Sequence, residues 1–169
     1  MGLLGRLFGR VETESCETLY QATVARARRP HWYIHGKVPD TIDGRFDMIA
    51  ALLSMVLLRL ESDPQGAAPG ALLSERFVDD MDGQLREIGF GDLVVGKHIG
   101  KMMGMLGGRL GAYRQGLVDG GLQAALIRNL YRGEDPGDEA VAYVEHHLRD
   151  FRAALDAVSL DRLTAGDLP

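Results

Sequence analysis

The chain has 169 residues, of which 46% are hydrophobic and 25% charged, with a formal net charge of −5; this suits one domain with a real core, is too short for two, and is not the composition of a disordered chain. The acidic balance disfavours a broadly basic surface, so no specific nucleic acid is expected as a partner. The single cysteine, Cys16, excludes an internal disulfide and a Cys-rich zinc site.

At the start of the chain, Leu3, Leu4, Leu7 and Phe8 alternate with Arg6 and Arg10. On a helix this is a small basic amphipathic anchor, too short to be stable alone. Residues 1–14 are therefore expected to be a flexible or membrane-associating tail. The stretch is too short and too rich in Arg and Gly for a secretory signal. A first helix is expected over residues 15–28, with a thin apolar face, and Pro30 ends it. Cys16 falls in its first turn, where a thiol pKa can drop; the plainer reading is a small packing residue. Residues 31–43 read as a loop anchored by Trp32, Tyr33 and Ile34.

The second helix is expected over residues 44–61. Phe46, Ile49, Leu53, Val56 and Leu60 form one stripe, and Met48, Leu52, Met55 and Leu58 fill most of the rest, which predicts a central, buried helix. Arg59 interrupts the apolar run, which is too short to span a bilayer. Residues 62–70 read as a turn-rich connector. The third helix, 71–88, buries Leu73, Phe77, Met81, Leu85 and Ile88. After a break at Gly89–Asp92 comes the fourth, 93–117, with the stripe Val95, Ile99, Met102, Leu106, Leu110, Tyr113 and Leu117. A shorter fifth helix covers 120–132. The sixth opens on Asp135 as N-cap with Pro136 behind it, and its stripe is Val141, Val144, Leu148, Phe151, Leu155 and Val158. Residues 161–169 are expected to be a frayed tail. The fold class is all-α: a single-domain bundle of about six helices over residues 15–160.

Catalytic signatures do not assemble. Gly91–His98 nearly matches GxxxxGK[ST], but His98 stands where a hydroxyl should reach magnesium and no strand precedes it. His31, His35, His98, His146 and His147 lack metal-ligand spacing and read as solvated or hydrogen-bonded. No GxSxG and no Cys/His signature marks a nucleophile. The acid pairs Asp79/Asp80 and Asp40/Asp43 read as caps and solvated surface. The chain is expected to be a non-enzyme without cofactor or metal.

Three features suggest binding. The amphipathic start of the chain is one. The second is glycine: 22 residues, eleven of them between Gly89 and Gly121. The fourth helix carries Gly96, Gly100, Gly104, Gly107, Gly108 and Gly111, each costing about 0.8–1 kcal/mol relative to alanine. Together that is roughly 5 kcal/mol, comparable with the stability of a domain. Gly96, Gly100, Gly107 and Gly111 each follow a core-stripe residue by one position and so form a second stripe about 100° round the helix. A bare stripe admits another backbone, either a neighbouring helix of the same domain or a helix from a partner. Met102, Met103 and Met105 on the same helix suit an adaptable surface or a core. The third is residues 31–47, where Asp40, Asp43, Arg45 and Asp47 are close enough for an ion-pair or capping network. Its alternative is a structural loop that Arg45 bridges to the bundle.

The same segments carry a resemblance. Arg28-x-Pro30-x-Trp32-Tyr33 followed by Val38-Pro39-Asp40-Thr41-Ile42-Asp43-Gly44-Arg45-Phe46-Asp47 is similar to the ubiquinol–cytochrome c chaperone family. So are the run from Met81-Asp82-Gly83-Gln84-Leu85-Arg86-Glu87 through Asp92 to Gly96-Lys97, and Gly108-Arg109 with Tyr113. The start of the chain, without an Arg/Ser-rich transit peptide, resembles the bacterial branch.

The resemblance implies an all-helical, non-catalytic assembly factor for the respiratory cytochrome bc1 complex. As implied partners it brings newly made cytochrome b or another bc1 subunit, a small partner protein and the ribosome. It also implies a cytoplasmic location, near the inner membrane, which Leu3, Leu4, Leu7 and Phe8 would contact. It places a binding role on Asp40, Asp43, Arg45, Asp82, Arg86, Glu87, Asp92, Lys97 and Arg109. Gly100 and Gly104 join them from the bare stripe, since relatives tend to carry other residues there. The alternative reading is a general helical adaptor without a respiratory client.

Overall fold

The structure, a computed structural model, describes residues 16–87 and 95–169, and all its regular elements are helices. In chain order these are α1 (residues 16–27), α2 (His31–Ile34), α3 (Ile42–Glu61), α4 (Ala67–Glu87), α5 (Val95–Asp119), α6 (Leu122–Asn129), α7 (Asp138–Asp156) and α8 (Leu160–Thr164). The six longer ones are the expected bundle; α2 and α8 are single turns. The amphipathic start of the chain and the Gly89–Asp92 break lie outside the described residues.

α3 is the axis of the bundle. Thr41 caps it, its Oγ1 accepting from the Gly44 amide at 3.0 Å, and Asp43 sits in the first turn, where a carboxylate complements the helix dipole. Every residue from Asp47 to Leu60 is buried, as its all-round apolar surface predicts. α4, α5 and α7 pack around it, and α6 folds back on α5. That hairpin is tight: a Cβ on Gly116 would lie 2.7 Å from the Leu122 Cα.

Two arginines close helix ends. Arg59, which interrupts the apolar run of α3, donates from Nε to the Leu155 carbonyl at 3.1 Å and from Nη2 to the Val158 carbonyl at 3.0 Å. Arg149 donates to the carbonyls of Leu117 at 3.1 Å and Gly116 at 3.2 Å, at the end of α5. Each donates to carbonyls at the C-terminal end of a helix and sets a cation at its negative pole.

Several boundaries differ from expectation. α4 begins at Ala67, four residues early, because Pro69 falls in its first turn, where a proline lacks nothing the helix needs. Asp135 does not cap α7. Its Oδ1 accepts from the Gly137 amide at 2.8 Å, and Gly137, at φ +100°, is the N-cap. Trp32 and Tyr33 do anchor their segment, donating to the Arg26 and Ala27 carbonyls at 2.9 Å each, but Ile34 is 67% exposed. Residues 161–169 are packed rather than frayed. Leu163 is fully buried, Gly166 turns at φ +86° against Thr18, and Arg26, stacked 4.2 Å over Phe151, donates to the Pro169 carbonyl.

Candidate functional site

The charged residues at the start of α3 do assemble into a network, but its cations come from α5 and from just beyond the end of α6 rather than from Arg45. Asp47, one turn into α3, is fully buried. Its Oδ1 accepts from Arg109 of α5, and its Oδ2 accepts from Arg132 Nε at 2.6 Å. Arg132 also donates to Asp43 at 2.7 Å. Asp43 and Asp47 are four residues apart on one helix face, so a single guanidinium spans both. Arg132 reaches them from a backbone at φ +56°, a conformation that costs a bulky residue energy and that its two carboxylate partners offset. Burial pushes the Asp47 carboxyl up, while the Arg132 and Arg109 guanidiniums pull against it. Arg109 also lies over the Phe46 ring at 5.3 Å. One turn on, Tyr113 is buried with its hydroxyl unpaired among the described residues, and burial raises its pKa.

Arg45 does not bridge this segment to the bundle, as one sequence reading had it. It pairs with Asp40 at 2.6 Å, and both side chains are 59% exposed. That hydrogen bond holds the Asp40 carboxyl below the usual range. The bridge belongs to Arg109 and Arg132. Arg109, expected at a partner surface, is buried and spends its charge on Asp47.

The other face of α5 is different in kind. Gly100, Gly104, Gly107 and Gly108 are exposed, and a Cβ at any of them, or at Gly111, would meet nothing within 4 Å. Of the two occupants the bare stripe allowed, a neighbouring helix of the same domain is not there among the described residues. Met103 projects from this face, 41% exposed. Beside it runs an apolar groove of about 450 Å³ between the end of α3, the first half of α4 and the middle of α5. A second groove of about 530 Å³ lies between α3, the end of α5 and α7. Glu61 lines both grooves, and Arg114, which pairs with it at 2.6 Å, lines the second.

The remaining expected site residues are scattered. Asp82 is half-buried on α4. Arg86, Glu87 and Lys97 lie on α4 and α5 with side chains outside the described set, and Asp92 lies outside the described residues. Cys16 is buried and its thiol is pushed up to about 11, first by burial and then by Glu17, so it is the packing residue and not a reactive one. His31, His35 and His147 gather around Tyr143, whose hydroxyl lies 3.2 Å from His31 Nδ1. No group of three or more His, Cys, Asp or Glu among the described residues could hold a metal ion. None of the described helices is long and apolar enough to cross a membrane.

Sequence reasoning missed Arg132 and Tyr131, which donates to the Gly36 carbonyl at 2.6 Å. Two carboxylates at i and i+4 on a helix entering the core call for a cation between them, but that local signal does not say which cation.

A family model described as Ubiquinol-cytochrome C chaperone matches residues 35–168. No curated protein matches the chain significantly. Among solved structures, the crystal structure of the Cbp3 homolog from Brucella abortus aligns with a TM-score of 0.83 and 31% identity, over 98% of this chain and 93% of that one.

Proposed function

The chain belongs to the ubiquinol–cytochrome c chaperone family, and from that premise we propose that it is a non-catalytic assembly chaperone for the cytochrome bc1 complex that holds newly made cytochrome b. The observation that carries the reading is the outward face of α5, a helix that spends roughly 4–5 kcal/mol of helix propensity on five glycines whose Cβ positions would meet nothing within 4 Å among the described residues. A client helix laid along that face would bring its backbone close without displacing a side chain.

In this account Gly100 and Gly104 receive the client, and Met103 adapts to it. The exposed Asp40–Arg45 pair supplies a polar edge. Asp43 and Arg109 act indirectly, by fixing α5 against α3 through Asp47 and Arg132. The chaperone works at the cytoplasmic face of the inner membrane, with Leu3, Leu4, Leu7 and Phe8 as a peripheral contact. Deleting the gene and quantifying assembled bc1 complex tests the reading: the complex should be lost while cytochrome b transcript persists. Normal complex in the deletion strain would refute it.

A further inference from the structure

The groove between α3, α4 and α5 carries information about its occupant beyond apolarity. Its floor is Leu57 and Leu60, and Met103 and Leu110 form the α5 wall. The α4 wall presents Ala67, Gly70, Ala71 and Ser74 along one helix face, small side chains that end at Glu75 on the rim. A Cβ on Gly70 would reach the Leu57 and Leu60 side chains only at 3.9 Å, ordinary contact, so the domain's own packing does not demand this smallness.

Among the described residues, all charged side chains lining the groove are acidic: Glu61, Asp63 and Glu75. Arg114 holds Glu61 at 2.6 Å and Arg59 approaches Asp63 at 3.7 Å, but Glu75 is exposed and has no ion pair among the described residues. Small walls admit a helix at close range, an apolar floor takes its side chains, and an uncompensated carboxylate at the rim favours a cation. Membrane-spanning helices present this combination, an apolar stretch of about 20 residues with Lys or Arg at the cytoplasmic end.

We propose that this groove docks an apolar client helix by the end that bears its basic flank, with Glu75 facing the cation. The identity of the client rests on the chaperone reading above; the chemistry of the groove does not.

The test uses the full chain and two labelled helical peptides of Ala and Leu, one ending in Lys-Lys and one in Glu-Glu, followed by fluorescence anisotropy. The Lys-ended peptide should bind about tenfold more tightly at low salt, and the gap should shrink at high salt. Glu75→Lys should cut its binding about tenfold. Ala71→Leu, which fills the groove from an exposed position, should abolish binding of both peptides without lowering the thermal midpoint. Equal binding of the two peptides, no binding of either, or undiminished binding to Ala71→Leu overturns the proposal. Returning Ala71→Leu to a deletion strain separates the two claims. Full bc1 assembly there would sink the groove as the client site and leave the chaperone role standing, whereas normal complex in the empty deletion strain would sink the role itself.

Discussion

α5 has two faces, and they obey different rules. The inward face buries Met102, Leu106 and Tyr113, ties Arg109 to Asp47, and ends at Gly116, where only a hydrogen fits against α6. The outward face carries Gly100, Gly104, Gly107, Gly108 and Gly111 beside exposed Met103, with nothing resting on it among the described residues. Gly116 is explained by its neighbour Leu122, and the others have no neighbour among the described residues to explain them. Packing accounts for the first face; the second costs helix stability that no contact among the described residues returns.

The comparison breaks first at Asp47. Asp47→Ala should destabilise the domain by about 3–5 kcal/mol in urea unfolding, because it leaves buried Arg109 without a counter-charge. A loss below about 1 kcal/mol would mean that α5 is not held by this network. Next are paired substitutions of like chemistry on opposite faces. Gly116→Ala should cost about 1–3 kcal/mol by overpacking against Leu122, whereas Gly107→Ala should stabilise by about 0.5–1 kcal/mol. Opposite signs are the prediction, and equal signs would erase the distinction between the faces.

A smaller effect concerns the histidine cluster. Burial lowers the His31 pKa, with help from His147, Arg29 and Arg26. A folded-state pKa below the unfolded one means the unfolded chain binds more protons, so stability falls as pH drops through about 6.5. Thermal midpoints from pH 8 to 5 should flatten in His31→Phe relative to the parent chain. The smallest effect is expected at Arg45. It is exposed and paired only to Asp40, so Arg45→Ala should leave the urea midpoint unchanged.

The helices were legible because periodicity and punctuation are local. The 3–4 spacing of Val141, Val144, Leu148, Phe151 and Leu155 and the all-round apolarity of α3 needed no tertiary knowledge. Pro69 misled because a proline in a first turn looks like the proline of a connector. Arg132 was illegible for another reason: its partners Asp43 and Asp47 lie 89 and 85 residues away, and only the fold brings them together. The glycine stripe could be seen, but whether a helix of the same domain filled it depended on where α4 and α6 landed.

The central claim is that the bare face of α5 serves assembly of the bc1 complex. Its most direct test is the amount of assembled complex in cells whose only copy is the Gly100→Leu/Gly104→Leu double variant, with the purified variant melted in parallel. The account predicts a melting midpoint at or above that of the parent chain together with loss of the complex. A stable variant that sustains parental levels of the complex would contradict it.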